Sequence, residues 1–181
     1  MDSPPYIDRL PLRAIGEDLA VDAASTLHLS RPRLLDHRPA APRLTVQLRA
    51  APEPTDGELR AAFVAFLKRE AAKRIPPVLA ALADEAGIPR PPHVRIGLTR
   101  SRWASRSSSG TVACSVHLLF VPEALFRHVL LHELVHVEHM DHSPAFHARL
   151  RQLDPRSESL SRALRSADRD YLPPWLRFSA P

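Results

Sequence analysis

The chain has 181 residues, 44% of them hydrophobic, which is enough for one domain with a packed core and short for two. Its formal net charge is +5, and its single cysteine, Cys114, excludes a disulfide framework and a cysteine-rich zinc finger. The first twenty residues have acids and prolines where a secretory signal needs an apolar run, and no stretch reaches transmembrane length, so the sequence predicts a soluble, cytoplasmic protein without a membrane partner.

Residues 1–42 carry six prolines and little sustained periodicity, and they are expected to form a weakly ordered extension ahead of a domain over 43–181. LTVQL (44–48) is a strand candidate, followed by the proline-broken RAAPEPTDG. Thr55 and Glu58 have capping-box spacing, and Leu59, Phe63, Phe66 and Leu67 recur at helical intervals, which predicts a helix starting near 56. Pro76 and Pro77 are expected to break or kink it, and Gly87 to end it.

Val94, Ile96 and Leu98 alternate as one strand, and Val112, Cys114, Val116, Leu118 and Phe120 as another, separated by the polar, turn-rich RSRWASRSSSG. Pro122 suits the first turn of a helix over PEALFRHVLLHELVHVEH, residues 122–139. Ser143 and Pro144 form an N-cap and first-turn pair, and Phe146, Leu150 and Leu153 give the next helix its apolar stripe. A last amphipathic stretch runs from about 156 to 170.

Five of the 10 histidines fall between 132 and 147, in a largely apolar helical context where an unsatisfied carboxylate and two imidazoles would be costly. His132 and His136, four apart, share a helical face and reach one ion. Glu133 lies about 100° around the helix, badly placed as a third ligand but able to reach a water. This is the HExxH zinc pattern; the competing reading is three polar residues on an exposed helix edge.

A catalytic zinc takes a third protein ligand and keeps one position open. His142 is the leading candidate, because Ser143-Pro144 implies that the chain has already turned back before it. His139 sits about 10 Å along the axis from His132 in a regular helix, too far to share an ion. Glu158, 22 residues beyond His136, is the stronger rival. His128 reads as a core histidine, His147 as part of the following helix, and His117 as a strand residue facing solvent or the cleft. Asp141 either orients a ligand imidazole or favours the turn.

SRWAS (101–105), a following strand, a proline-led helix, HELVH (132–136) and HSPAF (142–146) occur in an order and spacing that resembles the YgjP-like metallopeptidase domain, a small zincin family related to the SprT-like proteins. Arg102, Trp103, Ser105, His142, Ser143 and Phe146 agree with the family pattern. Ala104 stands where the family has glycine, Asp141 where it has asparagine, and His147 where it has tryptophan. The resemblance spans roughly residues 44–153. It implies an α+β minimal zincin: an HExxH helix on a small, mainly antiparallel sheet, preceded by a long helix, with His142 as third ligand.

The expected activity is zinc-dependent hydrolysis of a peptide or protein substrate, with Zn2+ held by His132, His136 and His142 and Glu133 as general base. A zinc-dependent nucleotide phosphohydrolase using Arg100, Arg102 and Arg106, or a non-catalytic zinc-binding module, are the alternatives. The excess of arginine keeps a nucleic-acid partner open, although no run of five like charges occurs.

Overall fold

The computed structural model describes residues 9–15, 17–25, 33–37, 44–50 and 55–178. It is a mixed α+β arrangement of two small sheets and five helices among the described residues. The first sheet joins β1 (Arg9–Leu12), β2 (Glu17–Ser25), β3 (Arg33–His37) and β4 (Leu44–Ala50) in the order β1-β2-β4-β3. The predicted strand at 44–48 is therefore present, but three strands precede it, and the boundary expected at residue 43 falls inside one sheet. Pairing of backbone with β4 organises this segment where side-chain periodicity gave no sign of it. Pro11 sits on the edge strand β1, where a missing N–H does least harm.

Thr55 opens α1 (Asp56–Ala86) with a complete capping box: its side chain accepts from the Glu58 N–H, and the Glu58 carboxylate accepts from the Thr55 N–H at 2.9 Å. Gly87 closes it in the left-handed conformation, φ 66°, which a residue with a Cβ adopts only under strain. Contrary to the expected break, the helix runs on through Pro76 and Pro77. Each proline removes one N–H from the i→i−4 ladder, while Ile75, Leu79 and Leu82 around them are buried. Core burial across the prolines thus offsets the two lost bonds.

The second sheet has the order β5-β7-β6, with β7 (Thr111–Ser115) parallel to β5 (His93–Gly97) and antiparallel to β6 (Ala104–Arg106). β6 lies within the segment expected as a plain connection. β7 is shorter than its alternation predicts: a 3₁₀ turn, Val116–Leu119, replaces its second half. Ser115 causes the switch by accepting the His117 N–H with its side chain, and all residues from Val116 to Val121 are buried, so there is no solvent face for an alternating strand.

The helices α2 (Glu123–Val135), α3 (Pro144–Leu153), α4 (Ser157–Ala163) and α5 (Ala167–Tyr171) follow. α2 packs against α1, β6, α3 and α4, which places it at the centre of the core with Leu130 and Leu134 fully buried. No helix among the described residues is long and apolar enough to cross a membrane.

Candidate metal centre

α2 delivers His132 and Glu133 in its last turn and then stops at Val135, short of the expected residue 139. Val137 and Glu138 bond back to Leu134 and Val135 in tighter i→i+3 turns, at 2.8 and 3.0 Å, which unwinds the helix just past His136. The chain then reverses, and Ser143 caps α3 by accepting from the Phe146 N–H. That reversal carries His142 back over the end of α2.

The imidazole nitrogens of His132, His136 and His142 converge, all lying within 4.8 Å of one another, and the two Nε2 atoms of His132 and His142 are 3.0 Å apart. Tetrahedral zinc with nitrogen ligands needs ligand atoms roughly 3.4 Å apart. His136 donates its Nδ1–H to the His139 carbonyl at 2.9 Å, which leaves Nε2 as the free lone pair. Three converging imidazoles are a donor set that suits a divalent ion and leaves a fourth position open.

Several contacts that sequence reading missed hold this arrangement. Phe146, expected only as part of an apolar stripe, is fully buried with its ring 4.8, 4.7 and 4.9 Å from the rings of His132, His136 and His142. Arg106 on β6 donates to the His136 carbonyl at 3.1 Å and to the Met140 sulfur, pinning the turn to the sheet. Arg149 on α3 bonds Glu138 at 2.7 Å and the Ala86 carbonyl at 2.8 Å, tying the same turn to the C-terminus of α1. Asp141 accepts from the Ser143 N–H, so it serves the turn and not a ligand imidazole.

Burial dominates the electrostatics. It pulls the His132 imidazole down to about 3, helped by its histidine neighbours, which keeps the ring neutral. Glu133 is 5% exposed, and burial pushes its carboxyl up to about 7 against the opposing pull of the Arg106 backbone N–H and the Arg102 and Arg106 charges. Burial and the Glu133 charge push the Cys114 thiol up to about 12, so it stays protonated and inert. A cavity of about 350 Å³ opens beside Glu133 and His132, walled by Trp103, Ala104, Val129 and Leu164, with Arg102 also on its lining.

The remaining candidates are elsewhere. Glu158 is exposed, paired with Arg151 at 2.9 Å, and outside the imidazole group. His139 contributes its carbonyl, not its ring. His128 is buried and hydrogen-bonded to Ser161 at 3.0 Å, a core histidine as expected. His117 neither faces solvent nor enters the cleft: it is buried, bonded to Ser115 at 2.7 Å and packed on Trp103 and Phe178. His147 sits exposed on α3, and Arg106 is engaged with the turn through its Nη1.

Comparison with curated proteins returned no match. Among solved structures, the chain is similar to the metallopeptidase zymogen of Pyrococcus abyssi abylysin, with 25% identity and a TM-score of 0.45 over 50% of this chain and 90% of that one. It is also similar to the metallopeptidase zymogen of Methanocaldococcus jannaschii jannalysin, with 18% identity and a TM-score of 0.45 over 50% and 92% of the two chains. A family model described as YgjP-like, metallopeptidase domain, matches residues 16–167, well beyond the span carried by the sequence motifs. The chain belongs to the YgjP-like metallopeptidase domain family, which implies a divalent metal and the hydrolysis of peptide bonds.

Proposed function

We propose that the chain is a zinc metallopeptidase acting on peptide or protein substrates, with His132, His136 and His142 as the metal ligands and Glu133 as general base. The observation that carries this reading is the convergence of three imidazoles beside a buried carboxyl at the edge of a cavity. Zinc in such a site supplies Lewis acidity toward a scissile carbonyl and a water. Glu133 supplies the proton relay: its carboxylate takes a proton from the attacking water and returns it to the leaving amine. A carboxyl near 7 is matched to both halves of that transfer, and a bound cation holds more of it ionised. The cavity walled by Trp103, Val129 and Leu164 accepts a side chain next to the reacting bond and keeps bulk water from it.

The test is one zinc-loaded preparation assayed against a panel of unstructured proteins and of nucleoside triphosphates, with zinc content measured on the same sample. About one zinc per chain and peptide cleavage are expected. Triphosphate hydrolysis without peptide cleavage overturns the assignment.

A further inference from the structure

A second cavity, about 460 Å³, lies between α3 and α4, and Ser161 lines both it and the cavity beside Glu133. The two therefore adjoin at Ser161. The far part is basic: Arg151, Arg162 and Arg165 line it against a single acid, Glu158, which pairs with Arg151 at 2.9 Å. Arg162 and Arg165 are exposed and have no acidic partner among the described residues. His147, also on the lining, stands 6.4 Å ring to ring from His142, so the basic cavity begins next to the imidazole group.

We infer that this basic cavity selects substrates with acidic side chains a few residues from the scissile bond. The inference rests on the peptidase reading. An extended peptide advances about 3.3 Å per residue, so a chain leaving the imidazole group covers the 6.4 Å to His147 in about two residues, and Arg162 and Arg165 line the same cavity beyond it. Arginine forks recognise carboxylates in pairs of hydrogen bonds. The lining favours a peptide over a nucleic acid: the basic cavity includes the buried Leu150, carries an acid among its arginines and itself holds no phenyl or indole platform for base stacking.

The experiment uses two fluorescein-labelled peptides of equal length, an Ala-Glu repeat and an Ala-Gln repeat. Binding is read by fluorescence anisotropy on the zinc-loaded full chain carrying Glu133→Gln, and cleavage of the same peptides is followed with the wild type. The acidic peptide is expected to bind about five- to tenfold more tightly, with the ratio shrinking as salt rises. The double variant Arg162→Glu/Arg165→Glu, at exposed positions, is expected to bring the ratio to one or invert it while far-UV circular dichroism stays unchanged. Equal binding of the two peptides, or a preference that survives charge reversal, overturns the inference. So does a single-stranded oligonucleotide that displaces the acidic peptide better than the unlabelled peptide does, which would make the cavity a nucleic-acid site. If the acidic preference holds but the wild type cuts neither peptide nor any unstructured protein, the cavity assignment stands and the peptidase reading fails. Cleavage without preference has the opposite meaning.

Discussion

Phe146→Ala removes the ring that underlies all three imidazoles. Phe146 is 0% exposed, and its ring lies within 5 Å of each histidine ring, at 4.8, 4.7 and 4.9 Å. Emptying a fully buried phenylalanine site costs about 3–5 kcal/mol, and water entering beside the polar rings pulls the figure toward the lower end, about 3 kcal/mol. The imidazoles then lose the surface that fixes their orientation, and zinc affinity is expected to fall about 10- to 100-fold, the range seen when the support of a metal ligand is removed. Phe146→Leu keeps most of the volume and separates filling from ring contact; its stability cost should stay near 1–1.5 kcal/mol. Urea titration of the metal-free chain gives the first quantity, and competition for zinc with a chromophoric chelator gives the second. A Phe146→Ala chain within 1 kcal/mol of the wild type, with unchanged zinc affinity, would falsify the assignment of Phe146 as the shared floor of the site.

Glu133→Gln is expected to retain its zinc while turnover falls about 10²- to 10⁴-fold; loss of zinc in elemental analysis would instead make Glu133 a ligand. The same substitution has a pH signature in the metal-free chain. Because the folded carboxyl is raised from 4.5 to about 7, the fold holds its proton longer than the unfolded chain does. Wild-type stability from this group is intact below about 4.5, falls as pH rises through 4.5–7, and is about 3 kcal/mol lower above that window. Urea midpoints should therefore show the Gln variant gaining on the wild type across that interval, and a pH-independent difference contradicts the buried-carboxyl argument. His142→Ala should weaken zinc binding strongly, whereas Glu158→Ala, which disrupts only an exposed ion pair, should leave binding intact and stability within about 0.5 kcal/mol. The reverse order in chelator competition overturns the third-ligand assignment.

What the sequence made legible was local chemistry. The Thr55–Glu58 box, the Gly87 cap and the Ser143-Pro144 start are set by neighbours within four residues, and all three stand in the structure as read. The convergence of His142 on His132 was accessible for the same reason, since a cap at 143 constrains where 142 lies. The errors came where distant partners decide. Two prolines leave α1 intact because its buried face outweighs the two N–H donors they remove. Alternation over 112–120 ends at Ser115 because the segment beyond is buried on every side. The first three strands depend on backbone pairing, β2 and β3 with β4 and β1 with β2, which leaves little trace in a run such as EDLAVDAAS. Arg106 is thirty residues from the carbonyl it holds, and nothing in RSRWASRSSSG marks it out from its neighbours.

These long-range contacts also help hold the three histidines together. Arg106 ties the turn to the sheet, Arg149 ties it to α1, and Phe146 supports the rings from below. Each anchors the 136–142 turn to a different part of the core, so the entropy of ordering it is met by packing and by charge-assisted hydrogen bonds. What the protein frame leaves for a cation to satisfy is a buried carboxyl held near 7 and imidazole nitrogens gathered closely enough that His132 and His142 share a hydrogen bond at 3.0 Å. A divalent cation answers both at once, because it is bound by the imidazole nitrogens and favours the ionised carboxylate. The frame is thus ordered by the fold, and its remaining electrostatic cost is the part that binding energy relieves, which is how a site is pre-organised for a charged ligand and for the charge that develops during hydrolysis.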